Sequence, residues 1–96
     1  MNVQQEQDEK KARFYIEDGG ERIAVMEYTY TGEGEFTIHH TIVDEAYEGK
    51  GLGKMLVAAA VNFAREHNMK IIPRCPYARA VLTRSKPEYA DVLYSA

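Results

Sequence analysis

The chain has 96 residues, of which 45% are hydrophobic and 28% charged, with a formal net charge of −3. That length suits one domain, whose core is thin because it buries only about two-thirds of its unfolded surface. The composition excludes a disordered chain, the negative charge gives no overall attraction for nucleic acid or an acidic membrane, and no apolar run approaches the roughly 20 residues needed to span a bilayer. The single cysteine, Cys75, forms no intramolecular disulfide and fits a reducing compartment. The first eleven residues lack the apolar core of a secretory signal, so the expected location is cytoplasmic. One cysteine and scattered histidines lack the paired spacing of a metal site, so no metal is expected.

Residues 1–11 are polar and are expected to be a flexible N-terminus, with a single domain over residues 12–96. Residues 13–17 read as a strand, and Asp18-Gly19-Gly20-Glu21 as a turn. Residues 22–31 and 36–43, rich in β-branched and aromatic side chains, read as two more strands separated by Gly32-Glu33-Gly34. Together these predict an antiparallel meander. The period then becomes helical: Leu52, Met55, Leu56, Ala59, Ala60, Phe63 and Ala64 recur at three- and four-residue spacing. Asn68 is the expected left-handed stop. Residues 70–72 suit a short buried strand, giving a strand–helix–strand crossover. Pro76 and Pro87 fit the first positions of two short helices, over about residues 76–82 and 87–94. The expected class is α+β.

Gly49-Lys50-Gly51-Leu52-Gly53 lies between the third strand and the long helix. No Ser, Thr, Asp or Asn stands at the cap position, so the first helical N–H groups lack a side-chain acceptor. Bare amides at the positive end of a helix dipole suit an anion, and glycines let a phosphate approach the backbone. Lys50 and Lys54 add positive charge. A tight turn that needs glycine only for its φ angles is the other reading. The spacing matches neither the dinucleotide fingerprint nor the Walker loop.

This turn resembles the central motif of the GNAT superfamily of N-acetyltransferases, Arg/Gln-x-x-Gly-x-Gly/Ala, with Gly51 and Gly53 on its glycine positions. Glu48 in this stretch departs from the Arg or Gln usual in that motif. Thr41-Ile42-Val43, the stretch from Tyr47 to Gly53, Leu56-Val57, Pro73-Arg74-Cys75-Pro76-Tyr77-Ala78 and Pro87-Glu88-Tyr89 extend the likeness, in order, to the minimal YjdJ-type branch of that superfamily. It spans about residues 12–94 and implies a compact GNAT-like fold that lacks the usual N-terminal helices. It also implies acetyl-coenzyme A (acetyl-CoA) as cofactor, with its diphosphate on the amides of Gly49, Lys50, Gly51, Leu52, Gly53 and Lys54. Its pantetheine would lie in a gap between splayed strands, and the Ile42 or Val43 amide would polarise the thioester.

The candidate chemistry rests on few side chains. With Pro76 first in its helix, Cys75 takes the cap position, where the dipole and nearby Arg74 and Arg79 favour a thiolate. The resemblance makes Cys75 a candidate catalytic residue near the acyl end of the cofactor; a small buried core residue is the other reading. His39 and His40 are expected on opposite faces of their strand, His40 with Ile38 and Ile42, His39 with Thr37 and Thr41. His40 is the candidate general base, because the resembling proteins carry a histidine just before the matching threonine; an exposed structural histidine is the alternative. Tyr77 is a candidate proton donor to the leaving thiolate. Arg74, Arg79, Arg84 and Lys86 form a basic cluster suited to a 3′-phosphate or an acidic acceptor, or simply a solvated face. Two functions compete: an N-acetyltransferase acting on an unidentified small or protein amine, and a non-catalytic coenzyme A-binding or protein-interaction module.

Overall fold

The computed structural model describes residues 2–9, 11–84 and 86–94, with the side chains of Lys86 and Pro87 outside that description. One sheet carries five strands in the order β1 (Val3–Gln7), β2 (Ala12–Asp18), β3 (Glu21–Gly32), β4 (Glu35–Val43) and β5 (Lys70–Pro73). The first four pair antiparallel, and β5 joins β4 in parallel. Parallel neighbours need a crossover. It is supplied by a 3-10 turn at Glu45–Tyr47, capped by the Asp44 carboxylate on the Ala46 N–H, and by helix α1 (Leu52–Glu66). Helices α2 (Pro76–Arg84) and α3 (Lys86–Tyr89) follow. The meander, the crossover and the α+β class agree with the sequence reading. No helix among the described residues is long and apolar enough to cross a membrane.

α1 lies on one sheet face, burying Leu56, Val57, Ala60, Val61 and Ala64 against Phe14, Met26, Tyr28, Phe36 and Ile38. The buried stripe is rotated from the expected one. Val57 and Val61 are buried, while Met55, Ala59 and Phe63 are only partly so. The rotation follows the line Gly53-Val57-Val61, since residues four apart share a face, and Tyr77 of α2 packs on that line at Gly53. Asn68 takes the expected left-handed conformation, φ 58°. The Tyr28 hydroxyl, buried in this core, accepts from Gln5 Nε2 at 2.5 Å, and desolvation pushes its pKa up to about 12.

Two segments differ from the sequence reading. Residues 3–7, where no element is expected, form edge strand β1, although Gln and Glu are weak strand formers. Arginines supply what propensity lacks: Arg22 forks onto both Glu6 oxygens at 2.6 and 3.0 Å, and Arg13 bonds Glu6 and Asp8. At the other end, the helix expected over residues 87–94 stops at Tyr89. Val92 and Leu93 turn back to cover the outer edge of β5: Ile71 donates to the Val92 carbonyl at 2.6 Å, and Tyr94 to the Ile71 carbonyl at 2.9 Å. Arg65 of α1 clamps this segment through both Asp91 oxygens and the Glu88 carbonyl.

The hydrogen bonds from Arg22 and then Arg13 hold the Glu6 carboxyl at a pKa of about 2, well below its ordinary 4.5. A depressed carboxylate contributes stability that is complete above its unfolded pKa and is lost as pH falls from about 4.5 through about 2. Glu6→Gln is therefore expected to lower the melting temperature at neutral pH, by only about a degree or two because exposed ion pairs are screened by water. Calorimetric melting of both proteins across acid pH should show the difference closing over that window.

Candidate active site

The site forms where β4 and β5 part. Their last ladder pair is Ile38 with Pro73, and the next two N–H groups, of Arg74 and Cys75, both turn onto the Ile38 carbonyl at 3.1 Å. Beyond that point β4 runs on through Val43 without β5 beside it. Pro73, lacking an N–H, stands at the parting.

A bulge in β4 sets which groups face this gap. Glu27 pairs with His40 but Tyr28 pairs with Ile38, so His39 is an extra residue. The Asp44 N–H donates to the Ile23 carbonyl at 2.7 Å, and antiparallel pairs alternate between bonded and non-bonded. Ile42 therefore spends its amide on Val25, while the Thr41 and Val43 amides point away from β3 toward the gap. The bulge also changes the faces. Ile38, Thr41 and Val43 share the helix side, while His39 and His40 both stand on the opposite face, their rings 6.4 Å apart. The expectation that the two histidines point to opposite faces, with His40 beside Ile38, is thus corrected: the extra residue breaks the two-residue period. His39 Nε2 is 2.7 Å from Thr29 Oγ1, and His40 is exposed. The side chain of Ile42 is 68% exposed on that same face.

On the helix side lies a cavity of ≈ 560 Å³, walled by Thr41 and Val43, by the turn at Tyr47, Glu48, Gly49 and Gly51, by Leu52, Gly53 and Lys54 of α1, and by Tyr77. Gly51 is the N-cap of α1 at φ 78°, a left-handed conformation that favours glycine, and no side chain caps the helix. Its carbonyl accepts the Met55 N–H at 3.1 Å, which leaves the Leu52, Gly53 and Lys54 amides without intrahelical partners. Gly53 serves packing: a Cβ there would lie 2.6 Å from the Tyr77 hydroxyl. Lys54 faces the cavity, whereas Lys50 lies over the Tyr47 ring, its Nζ 5.7 Å from the centroid. Tyr47 donates to Asp18 at 2.6 Å, and that acceptor raises its pKa.

Cys75 is buried, and its carbonyl accepts the Arg79 N–H at 2.9 Å, which makes it the cap residue of α2. Its thiol donates to Thr41 Oγ1 at 3.4 Å. Cys75 thus sits on the helix side and His40 on the other, so the two candidate catalytic residues do not meet across one face. Tyr77 is 40% exposed; desolvation raises its pKa, with Arg84 acting the other way. Of the basic cluster, Arg79 turns back to the Pro73 carbonyl at 3.2 Å, and the Lys86 side chain lies outside the described residues. The sequence reading assigned no role to Thr41, Tyr47 or Glu27. Tyr47 and Thr41 lie inside the stretches that carry the family resemblance, whereas nothing in the sequence singles out Glu27.

A family model described as GCN5-related N-acetyl-transferase matches residues 13–92. Among curated proteins, Protein NATD1 of Gallus gallus is 32% identical over 93 residues, covering 95% of this chain and 84% of that protein. A GCN5-like protein of Staphylococcus aureus, solved by NMR, is similar at TM-score 0.73 and 36% identity, covering 99% of this chain and 91% of that one. A Bacillus anthracis protein solved with acetyl coenzyme A shares the fold at TM-score 0.58 and 24% identity, over 69% of this chain and 38% of that one. With the mixed sheet, the glycine turn and the parted strands already in place, the match over residues 13–92 makes this chain a member of the GCN5-related N-acetyl-transferase family.

Proposed function

We propose that this protein is an acetyl-CoA-dependent N-acetyltransferase acting on a primary amine. The observation that carries the reading is the run of bare amides from Leu52 to Lys54, opening α1 on a cavity beside the parted strands. These residues fit the cofactor. Unpartnered N–H groups and the helix dipole suit a diphosphate, Lys54 adds charge, and the gap past Ile38 admits a narrow chain between β4 and β5. Bound there, acetyl-CoA supplies an acetyl thioester.

The chain's own groups then divide the work. The Val43 amide, free of β3, polarises the acyl carbonyl, and the Thr41 amide adds a second dipole. His40 takes the proton that the attacking amine loses. The amine nitrogen forms a bond to the acyl carbon as the carbon–sulfur bond breaks, and Tyr77 gives a proton to the departing sulfur. Cys75 has its thiol buried and turned to Thr41, on the side away from His40, which favours direct attack over an acyl-cysteine route.

A non-catalytic coenzyme A-binding module is the second reading. Glu48 favours it, because a carboxylate lining the cavity repels a diphosphate.

Gly51→Val forces a β-branched residue into the left-handed region, at about 1–2 kcal/mol, and moves the amides. It should raise the Kd for acetyl-CoA at least about tenfold by titration calorimetry. With an amine panel, thiol release should fall by on the order of 100-fold in His40→Gln. Cys75→Ala should stay within roughly tenfold of the parent, whereas loss of a true nucleophile costs on the order of 1,000-fold or more. Tight acetyl-CoA binding with no thiol release from any amine would select the second reading.

A further inference from the structure

The face of the sheet opposite α1 carries no helix among the described residues, and a second cavity of ≈ 240 Å³ lies on it, lined by Lys11, Glu27, Thr29, His39 and His40 around the Tyr28 backbone position. The bulge creates it by turning two consecutive imidazoles to the same side. The charged and titratable groups facing it are Lys11, Glu27, His39 and His40, with Arg13 directly opposite Glu27 in the β2–β3 ladder. Arg13 is committed to Glu6 and Asp8. His39 is held by Thr29. Glu27 is half-buried, and its carboxylate makes no hydrogen bond or ion pair among the described residues. Lys11 bonds Asp8 through its backbone N–H, which leaves its ammonium at the rim.

A partly buried carboxylate that no side chain engages is an open acceptor for a cationic group brought by a ligand. Glu27, on β3, pairs in the ladder with His40, which lies on β4, the strand that borders the gap. We infer that this cavity binds the acceptor, and that the acceptor is a small zwitterionic amine, its ammonium on Glu27 and its carboxylate on Lys11, of which an α-amino acid is the simplest case. One negative and one positive group in so small a cavity match that charge pattern better than a polyamine or a protein lysine. The acceptor then enters from the helix-free face and the cofactor from the other, and the two meet in the gap beside Thr41. The inference rests on the proposed acetyltransferase reading for its chemistry, although the binding itself can be read without turnover.

The test is an NMR titration of the full chain, without cofactor, using alanine, alaninamide and isopropylamine. Alanine should shift the His39 and His40 imidazole signals and bind most tightly. Glu27→Gln should weaken all three by roughly fivefold, the effect of losing one partly exposed ion pair. Lys11→Gln should weaken alanine alone, which general loosening of the fold would not reproduce. Equal binding of alaninamide, as for a peptide N-terminus, would overturn the zwitterion assignment. Unmoved imidazoles would overturn the site, even if acetyl-CoA still shifts the Leu52–Lys54 amides and acetyl transfer proceeds. Alanine bound at the imidazoles, with no transfer to any amine, would uphold the site while removing the acetyltransferase reading.

Discussion

His39 is one residue more than β3 has partners for, and the arrangement of the site follows from where the surplus falls. Before it, Phe36 and Ile38 are held between β3 and β5 and bury their side chains under α1. After it, Thr41 and Val43 inherit the helix side, and their amides, not that of Ile42, are left over. The bulge coincides with the end of the β5 ladder, where the Ile38 carbonyl takes the Arg74 and Cys75 N–H groups together. Strand irregularity and strand separation at the same level turn a continuous sheet into one with a slot. Without the surplus residue, the gap would be bordered by amides spent on β3, and the histidines would be divided between two faces.

The helix opening depends on a different economy of groups. Gly51 reaches its left-handed conformation without strain, and the absence of a capping side chain leaves three donors aimed at the cavity. Gly53 lets Tyr77 approach the backbone, so α2 leans against the same turn that opens α1. Asp18, at the end of β2, accepts the Tyr47 hydroxyl, which ties the loop before α1 to the β2–β3 end of the meander. The wall of the cavity is therefore assembled from three stretches of chain, the end of β4, the turn that runs into α1, and Tyr77 of α2.

Much of this was legible in the residues. Glycine spacing and the change of hydrophobic period located the turn and α1, and Asn68 marked its end because its left-handed φ is a local property. What escaped was non-local. The bulge is invisible in Phe36-Thr37-Ile38-His39-His40-Thr41-Ile42-Val43, since a surplus residue is defined only against the partner strand. β1 escaped because its pairing draws on arginines of β2 and β3 rather than on its own propensity. The end of the C-terminal helix escaped because Val92 and Leu93 are claimed by Ile71, a competitor that appears only once β5 is in place. Glu27, a charged residue on a strand, carried no mark of its own until the imidazoles were set beside it.

The covering of β5 by Val92 to Tyr94 bears on how copies of this molecule behave toward one another. An open sheet has two rims of unpaired backbone groups, each a template for strand-to-strand association between molecules. Here one rim is occupied by the chain's own returning segment, locked by Arg65 onto Asp91. The other is β1, five residues long and carrying Glu6 with its arginine neighbours. The contacts that complete the fold thus occupy the outer edge of β5 at Ile71 and leave β1 short and charged, which disfavours strand addition at these two rims, while the part of β4 beyond Ile38 keeps its edge open as the slot.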